Sequence, residues 1–417
     1  MIDVIYPVQI GTKRYSKEFQ VDEISAKSWR SVLDKAYGVT HATCCCPGKG
    51  GKKLAIKLRE SSDSYHLARF AGTGAEHANQ CRFYAPAPEA SGLQGYATGV
   101  VVEGDDGSLR IKLARSLKVL PAREADDEAL PLNEAQPGVR RPAMSLLGLL
   151  HFMWQESRLN TWYPAMEGKR NLFSVAKALA NTAPRINAGR VRLNEVLLLP
   201  SRKDSDRARE NQSRVQAALD RGLRLVVIAP LARYDAPKHG DDLERLPLSM
   251  PFGMPTLYLN DQWSRAGGRF QREISLWKDG NSVMAIAQAE VRMGKKYPYA
   301  KVLDLALMSV SDRWIPTDSS YEALVEQQLR AEGRAFEKPL RFDAREEDIF
   351  PDFWMLDTDQ PYPMEVFGMA TPEYLARKHV KERYYTREYG SSGWWRWDAS
   401  SDPSGLKMPA FPKKGRC

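Results

Sequence analysis

The sequence predicts a multidomain α/β protein: a β-rich N-terminal domain over 1–120, an α/β middle region over 143–316, and a C-terminal unit over 317–417 whose elements run α-β-β-β-α-β. Three observations predict it. Short alternating apolar runs and hairpin turns mark the first 120 residues. Residues 121–142, PAREADDEALPLNEAQPGVRRP, combine four prolines with many charges and no periodicity, which is linker composition. From 317 onward the apolar spacing switches between helical and strand periods in that fixed order.

The chain has 417 residues, 43% of them hydrophobic. That is too long for one ordinary core and apolar enough to bury several. No run of eighteen apolar residues occurs, and LRLVVIAPLA (223–232) is too short to span a bilayer. MIDVIYPVQIGTKRY at the N-terminus lacks a charged segment followed by an apolar one, so neither a secretory signal nor a membrane partner is expected, and the protein is expected in the cytoplasm. The net charge of +9 is uneven: 317–417 carries 15 Lys and Arg against 18 Asp and Glu, and 1–316 carries 46 against 34. A basic body joined to a mildly acidic C-terminal unit suggests a polyanion gripped mostly by the body.

In the N-terminal part, VVVEGDDGSLRIKLA (100–114) alternates around an Asp-Gly turn and reads as a hairpin. KKLAIKL (52–58) reads as a strand and SAKSWRSVLDKAY (25–37) as a short helix. In the middle region MSLLGLLHFMWQESRL and KRNLFSVAKALANTA read as helices, the second with Leu172, Val175, Ala176 and Leu179 on one face. Two short helices and a basic turn permit a winged-helix-like reading beside a plain α/β one. SDRARENQSRVQAALDRG reads as a charged helix before the strand LRLVVIAPLARY. MPTLYLN, REISLWKDGNSVMAIAQAEVRM and AKVLDLALMSVS read as strands of a β platform without a catalytic constellation. No fixed-period repeat is present.

HATCCCPGKGG and EHANQC together offer C-x-C followed, after thirty residues, by H-x-x-x-C. Cys44, Cys46, His77 and Cys81 make a Cys₃His set. A closed set of four such ligands suits tetrahedral Zn²⁺ in a structural role. If 44–46 is extended, Cys45 points the other way. The competing reading is a group of buried free thiols, with His41 a surface or capping residue. GTG (72–74) is too short for a phosphate loop and reads as a turn.

In the C-terminal unit, DSSYEALVEQQLRAEG (318–333) reads as a helix capped by Ser319 or Ser320. Strands follow at AFEKPLRF, DIFPDFWMLD and PYPMEVFGM, then a helix at TPEYLARKHVKERYY with Thr371 as cap and Pro372 in its first turn, then a strand at SGWWRWDAS. Asp352 follows Pro351, and Glu365 sits thirteen residues on in the next strand. Adjacent strands can bring two such carboxylates to one sheet end to share a hard divalent cation. Acids within hydrophobic strands are otherwise costly unless paired. Arg377, Lys378, Lys381, Arg383 and Arg387 give the following helix a basic character suited to phosphate contact, and Trp394, Trp395 and Trp397 beside it suggest base stacking or, for Trp395 above all, a core.

This order resembles the PD-(D/E)xK, or restriction-endonuclease-like, nucleases. The residues that carry the resemblance are Glu322 in the leading helix, Pro351-Asp352 and Glu365-Val366-Phe367. The resemblance implies Mg²⁺ (or Mn²⁺) held by Asp352 and Glu365, a further ligand from the Val366 carbonyl, and Glu322 reaching the metal through water. The lysine two residues after the glutamate is Phe367 here. Some members carry that lysine on the next helix, and Lys378 or Lys381 could supply it, Lys378 favoured for lying one turn in. The C-x-C start, YHLARFAGTGAEHANQC, LLHFMWQESRLNTWYP and the PDF…EVFG…ARKHVKERYY end resemble a bacterial domain-of-unknown-function family, number 1173, over nearly the whole chain. That resemblance implies a setting on conjugative plasmids and integrative elements, or in genome defence, with partner proteins of such an element, and no reaction.

Three function classes follow. The first is a Mg²⁺-dependent DNA endonuclease with a zinc-held N-terminal module. The second is a non-catalytic DNA-binding or regulatory protein with a degenerate nuclease fold, which Phe367 favours. The third is a zinc-held protein–protein adaptor.

Overall fold

The computed structural model describes residues 4–59, 64–70, 72–85, 92–104, 106–119, 141–240, 242–343, 349–360 and 362–415. The expected linker lies outside the described residues apart from Arg141 and Pro142, as does Cys417. Among the described residues the chain is mixed α/β, with nine α-helices and four sheets. No helix among them is long and apolar enough to cross a membrane.

The first sheet orders strands Lys13–Tyr15, Val8–Ile10, Ala42–Cys44, Lys53–Arg59 and Ser64–Arg69, each antiparallel to its neighbour. Val8, Ala42 and Leu54 point inward with Leu33 and Ala36 of the Ala26–Ala36 helix. The 100–114 hairpin forms, Val101 opposite Ile111. Its second strand runs parallel to Ile186–Ala188, so the hairpin shares a four-stranded sheet with the middle region.

The middle region is built on a five-stranded sheet ordered Leu197–Leu198, Arg224–Pro230, Val283–Met293, Pro298–Ser309, Thr256–Tyr258. Arg224–Pro230 is buried at every position, as expected of a strand covered on both faces. The Leu146–Glu156 helix is buried almost all round and packs on the long 283–309 hairpin. Ser205 caps the Asp206–Arg221 helix and Gly222, at φ +61°, ends it in the left-handed conformation that glycine adopts without strain. The sequence reading of REISLWK as strand is corrected: Gln271–Lys278 is a helix, preceded by another at Gln262–Arg269. Trp263, Ala266 and Trp277 fall on the buried side of this pair, and the Trp277 indole donates to the Ala232 carbonyl. Alternation over so short a run did not reveal that helical spacing.

The C-terminal unit runs helix Ser320–Ala331, strands Phe336–Glu337, Phe353–Met355 and Tyr362–Phe367, helix Pro372–Tyr389, strand Trp395–Asp398. The first three strands form an antiparallel meander, and Trp395–Asp398 returns parallel to Tyr362–Phe367 after the helix. A fifth strand, Thr161–Trp162, comes from the middle region and pairs with Phe336–Glu337. Trp162 and Met166 accordingly join the core of Val325, Leu329, Phe336, Phe353 and Met364.

Candidate metal centre and acidic cluster

Cys44 closes the Ala42–Cys44 strand, and alternation turns Cys44 and Cys46 inward and leaves Cys45 half-buried. His77 follows a single 3₁₀ turn at Gly74–Glu76, and a second turn bonds the Cys81 amide to the Ala78 carbonyl at 2.7 Å. The two loops meet at Gly48: a Cβ there would lie 2.2 Å from the Glu76 carbonyl oxygen, so only glycine permits the approach. Lys52 locks the contact, its ammonium donating to the Cys46 and Gly48 carbonyls and its amide to Glu76.

The four donor atoms lie within 4.8 Å of one another, all buried. Cys44 Sγ is 3.6 Å from Cys81 Sγ, and His77 Nδ1 is 3.7 Å from both Cys46 Sγ and Cys81 Sγ. Tetrahedral zinc sets paired sulfurs about 3.8 Å apart and sulfur about 3.6 Å from nitrogen. Three of the six separations already match and none exceeds 4.8 Å, so the site can hold zinc if the wider pairs close by up to about 1 Å. The Ala78 amide donates to Cys46 Sγ at 3.3 Å, supporting a thiolate. The hydrogen bond from Cys81 holds the Cys44 thiol well below its ordinary value. Arg158 of the middle region donates to the Cys81 carbonyl at 3.1 Å and to that of Asn79, so the ligand loop is docked on the next unit.

At the other end of the chain the acids read from the sequence lie near enough for the charge of Asp352 to act on both Glu322 and Glu365. Ser319 caps the leading helix by accepting the Glu322 amide at 3.0 Å. Asp352 immediately precedes its strand, bonds its amide to the Met364 carbonyl, and accepts the Val366 amide on Oδ2 at 2.7 Å. Glu365 is 1% exposed. The Lys381 ammonium lies 3.1 and 2.9 Å from its two oxygens. Burial, then the charge of Asp352, pushes Glu365 up to about 8 although Lys381 opposes the shift. Burial likewise pushes Glu322 up to about 7. The buried Tyr385 phenol is raised by burial and then by the charge of Glu365.

Lys378, favoured by the sequence reading, bonds Asp398 at 2.6 Å and lies 4.8 Å from the centre of the Phe367 ring; no hydrogen bond joins it to Glu365 or Asp352. Sequence reasoning missed Lys338, which follows the Phe336–Glu337 strand. It is 2% exposed, and its ammonium lies 2.9 Å from both Asp318 Oδ2 and Glu322 Oε2. The signal available was a lysine beside an apolar strand sixteen residues after a helix acid, which is too common to single out. Arg377, Arg383 and Arg387 are exposed on the Pro372–Tyr389 helix, Arg387 bonding the neighbouring Glu388. Trp394, Trp395 and Trp397 are all buried, which removes them from any stacking surface. Their rings pack against Tyr385, Phe411 and Tyr321.

Among the described residues the Cys44 set is the one group of three or more such side chains whose donors converge on a single point; Asp352, Glu365 and Glu322 do not form such a group. The molecule is thus a mixed α/β protein with a Cys₃His cluster able to hold a metal and a separate buried cluster of acids and lysines. The chain belongs to the family described as protein of unknown function (DUF1173), whose model matches residues 15–400. No curated protein and no solved structure matches it.

Proposed function

We propose that the chain is a Mg²⁺-dependent DNA nuclease of the PD-(D/E)xK type, working in the setting of a mobile element or of genome defence. The observation that carries this reading is the placement of Asp352, immediately before one strand, and Glu365, on the adjacent strand, with Lys381 bonded to Glu365, inside an α-β-β-β-α-β order. Lys381 occupies the role left open by Phe367.

The residues suit a hard divalent cation. Asp318, Glu322, Asp352 and Glu365 face two ammonium groups, Lys338 and Lys381. Asp352 Oδ1 accepts no hydrogen bond among the described residues. Two carboxylates match the small protein share of a Mg²⁺ shell, the rest being water and phosphate oxygen. When bound, the cation supplies charge against the scissile phosphate and acidifies water. Asp352 and Glu365 would hold it, with Asp352 oriented by the Val366 amide. Lys381 places an ammonium where negative charge grows on the phosphate. Lys338 compensates Glu322 and fixes the leading helix to the sheet.

A second reading, DNA binding without cleavage, is favoured by one observation: both oxygens of Glu365 are taken by Lys381. The test incubates purified protein with plasmid and with linear single- and double-stranded DNA, in Mg²⁺ or Mn²⁺, beside Asp352→Ala and Glu365→Ala. Cleavage that needs the metal and disappears in both variants supports the nuclease. Cleavage unchanged in both removes the site, and binding without cleavage on every substrate moves the assignment to the second reading.

A further inference from the structure

The far edge of the middle sheet carries a surface that the nuclease reading does not use. Thr256–Tyr258 pairs parallel with Tyr299–Lys301, and Arg292 pairs with Tyr299 on the other side. Alternation sends Leu257, Val291 and Ala300 into the core. It sends Tyr258, Tyr299, Arg292 and Lys301 to the opposite face. A groove of about 650 Å³ runs over that face. Tyr297, in the hairpin turn, stands at its rim and is 70% exposed.

The chemistry of this face is one-sided. Tyr258 and Tyr299 meet edge to face at 5.7 Å. The Arg245 guanidinium lies 5.2 Å from the centre of the Tyr258 ring, and the Lys296 ammonium 5.6 Å from that of Tyr297. Arg245, Arg292, Lys296 and Lys301 are exposed. Glu290 shares the face and is paired with Arg292 at 3.0 Å. Aromatic rings interleaved with cations in an open groove are what an unpaired nucleic-acid strand requires: ring faces for bases, ammonium and guanidinium groups for phosphates. Duplex DNA keeps its bases stacked away from such rings. An apolar partner would find the groove too charged, and an acidic peptide would leave the ring faces unused.

We infer that the groove over Tyr258, Tyr297 and Tyr299 binds single-stranded DNA and grips the polymer away from the acidic cluster. The choice of DNA as polymer rests on the nuclease reading; the groove itself rests on the sheet face. It also gives a location to a small part of the excess positive charge of residues 1–316.

The experiment measures fluorescence anisotropy of a labelled oligo-dT strand of about twenty nucleotides, long enough for at least one OB-fold-sized site, and of a duplex of equal length. Full-length protein is used, in EDTA, so that grip and cleavage are read separately. Wild-type protein should prefer the single strand. Tyr297→Ala should weaken binding about tenfold or more, the loss of one stacked base. Lys301→Glu should weaken it and flatten its salt dependence. Tyr297→Phe keeps the ring and should bind within about twofold of wild type, since stacking needs only the π-face. Thermal melting of each variant checks the fold. Equal affinity for duplex, no oligo-dT binding by wild type, or Tyr297→Ala binding like wild type overturns the inference. Loss of cleavage in Asp352→Ala with full oligo-dT binding leaves it standing.

Discussion

The Lys381 ammonium sits 3.1 and 2.9 Å from the two carboxylate oxygens of Glu365, while Lys378, one turn earlier on the same half-buried face, sits 2.6 Å from Asp398 of the next strand. The catalytic lysine of the proposed site is therefore Lys381. Lys381→Met should lower the cleavage rate by roughly 10²–10³, the loss expected when one positioned donor to developing charge is removed. Lys378→Met removes only a partly exposed ion pair, worth at most about 1 kcal/mol, and should leave the rate nearly unchanged. Single-turnover rates on a cleaved substrate decide between them, and the reverse order of effects would return the role to Lys378.

Lys338 supplies a stability test independent of activity. Its ammonium is buried against Glu322 and reaches Asp318 at the rim of the cluster. Removing one partner leaves the other charge buried and uncompensated, at a cost of about 3–5 kcal/mol. Lys338→Met should lower the urea midpoint accordingly. Adding Glu322→Gln to it should recover part of the loss, because the stranded carboxylate is then gone. A double variant no more stable than the single one would show that the pair is not coupled.

The two clusters differ in how far the sequence disclosed them. The Cys44–Cys46 and His77–Cys81 pairs were legible because each is local and its chemistry is rare, and the structure needed only to fold one loop onto the other at Gly48. The order of the last six elements was legible for the same reason, from periodicity and caps. Lys378 was favoured over Lys381 for lying one turn in, but facing does not separate them: three residues on a helix differ by about 60°, so both point to the same side until the sheet fixes the axis. Lys338 was hidden because its burial depends on two acids of the preceding helix. The Thr161–Trp162 strand was hidden because its partner lies about 175 residues away, beyond any local pattern.

The Cys₃His cluster makes a prediction about composition as well as stability. Freshly purified protein should carry about one zinc per chain by elemental analysis. Cys81→Ser should lose it and lower the melting temperature, since ligand binding free energy is folding free energy for the loops it joins. The damage should spread beyond the N-terminal sheet, because Arg158 donates to the Cys81 carbonyl. Hydrogen exchange should therefore quicken in the segment following Glu156 as well as in 42–54. Metal-free protein with wild-type melting would remove zinc from the account.

His151 gives the pH dependence. It lies on the buried Leu146–Glu156 helix, and its Nδ1 accepts the Phe342 amide at 3.1 Å. Burial holds its pKa below the ordinary 6.5, with Lys338 adding to the shift and Asp318 and Asp343 opposing it. Well above pH 6.5 the ring is neutral in folded and unfolded chains alike and contributes no pH dependence. Below it the unfolded chain takes up a proton that the folded one refuses, so stability falls as the pH drops from 6.5 toward the folded value. The physical reason is direct: a protonated Nδ1 cannot accept the Phe342 amide, and burial strips the charged ring of most of its hydration. His151→Gln has no titrating ring, so its urea midpoint should fall less between pH 7.5 and 5.5 than that of wild type. Parallel midpoints over that range would mean that His151 gains its proton without resistance, and that burial on this helix does not control it.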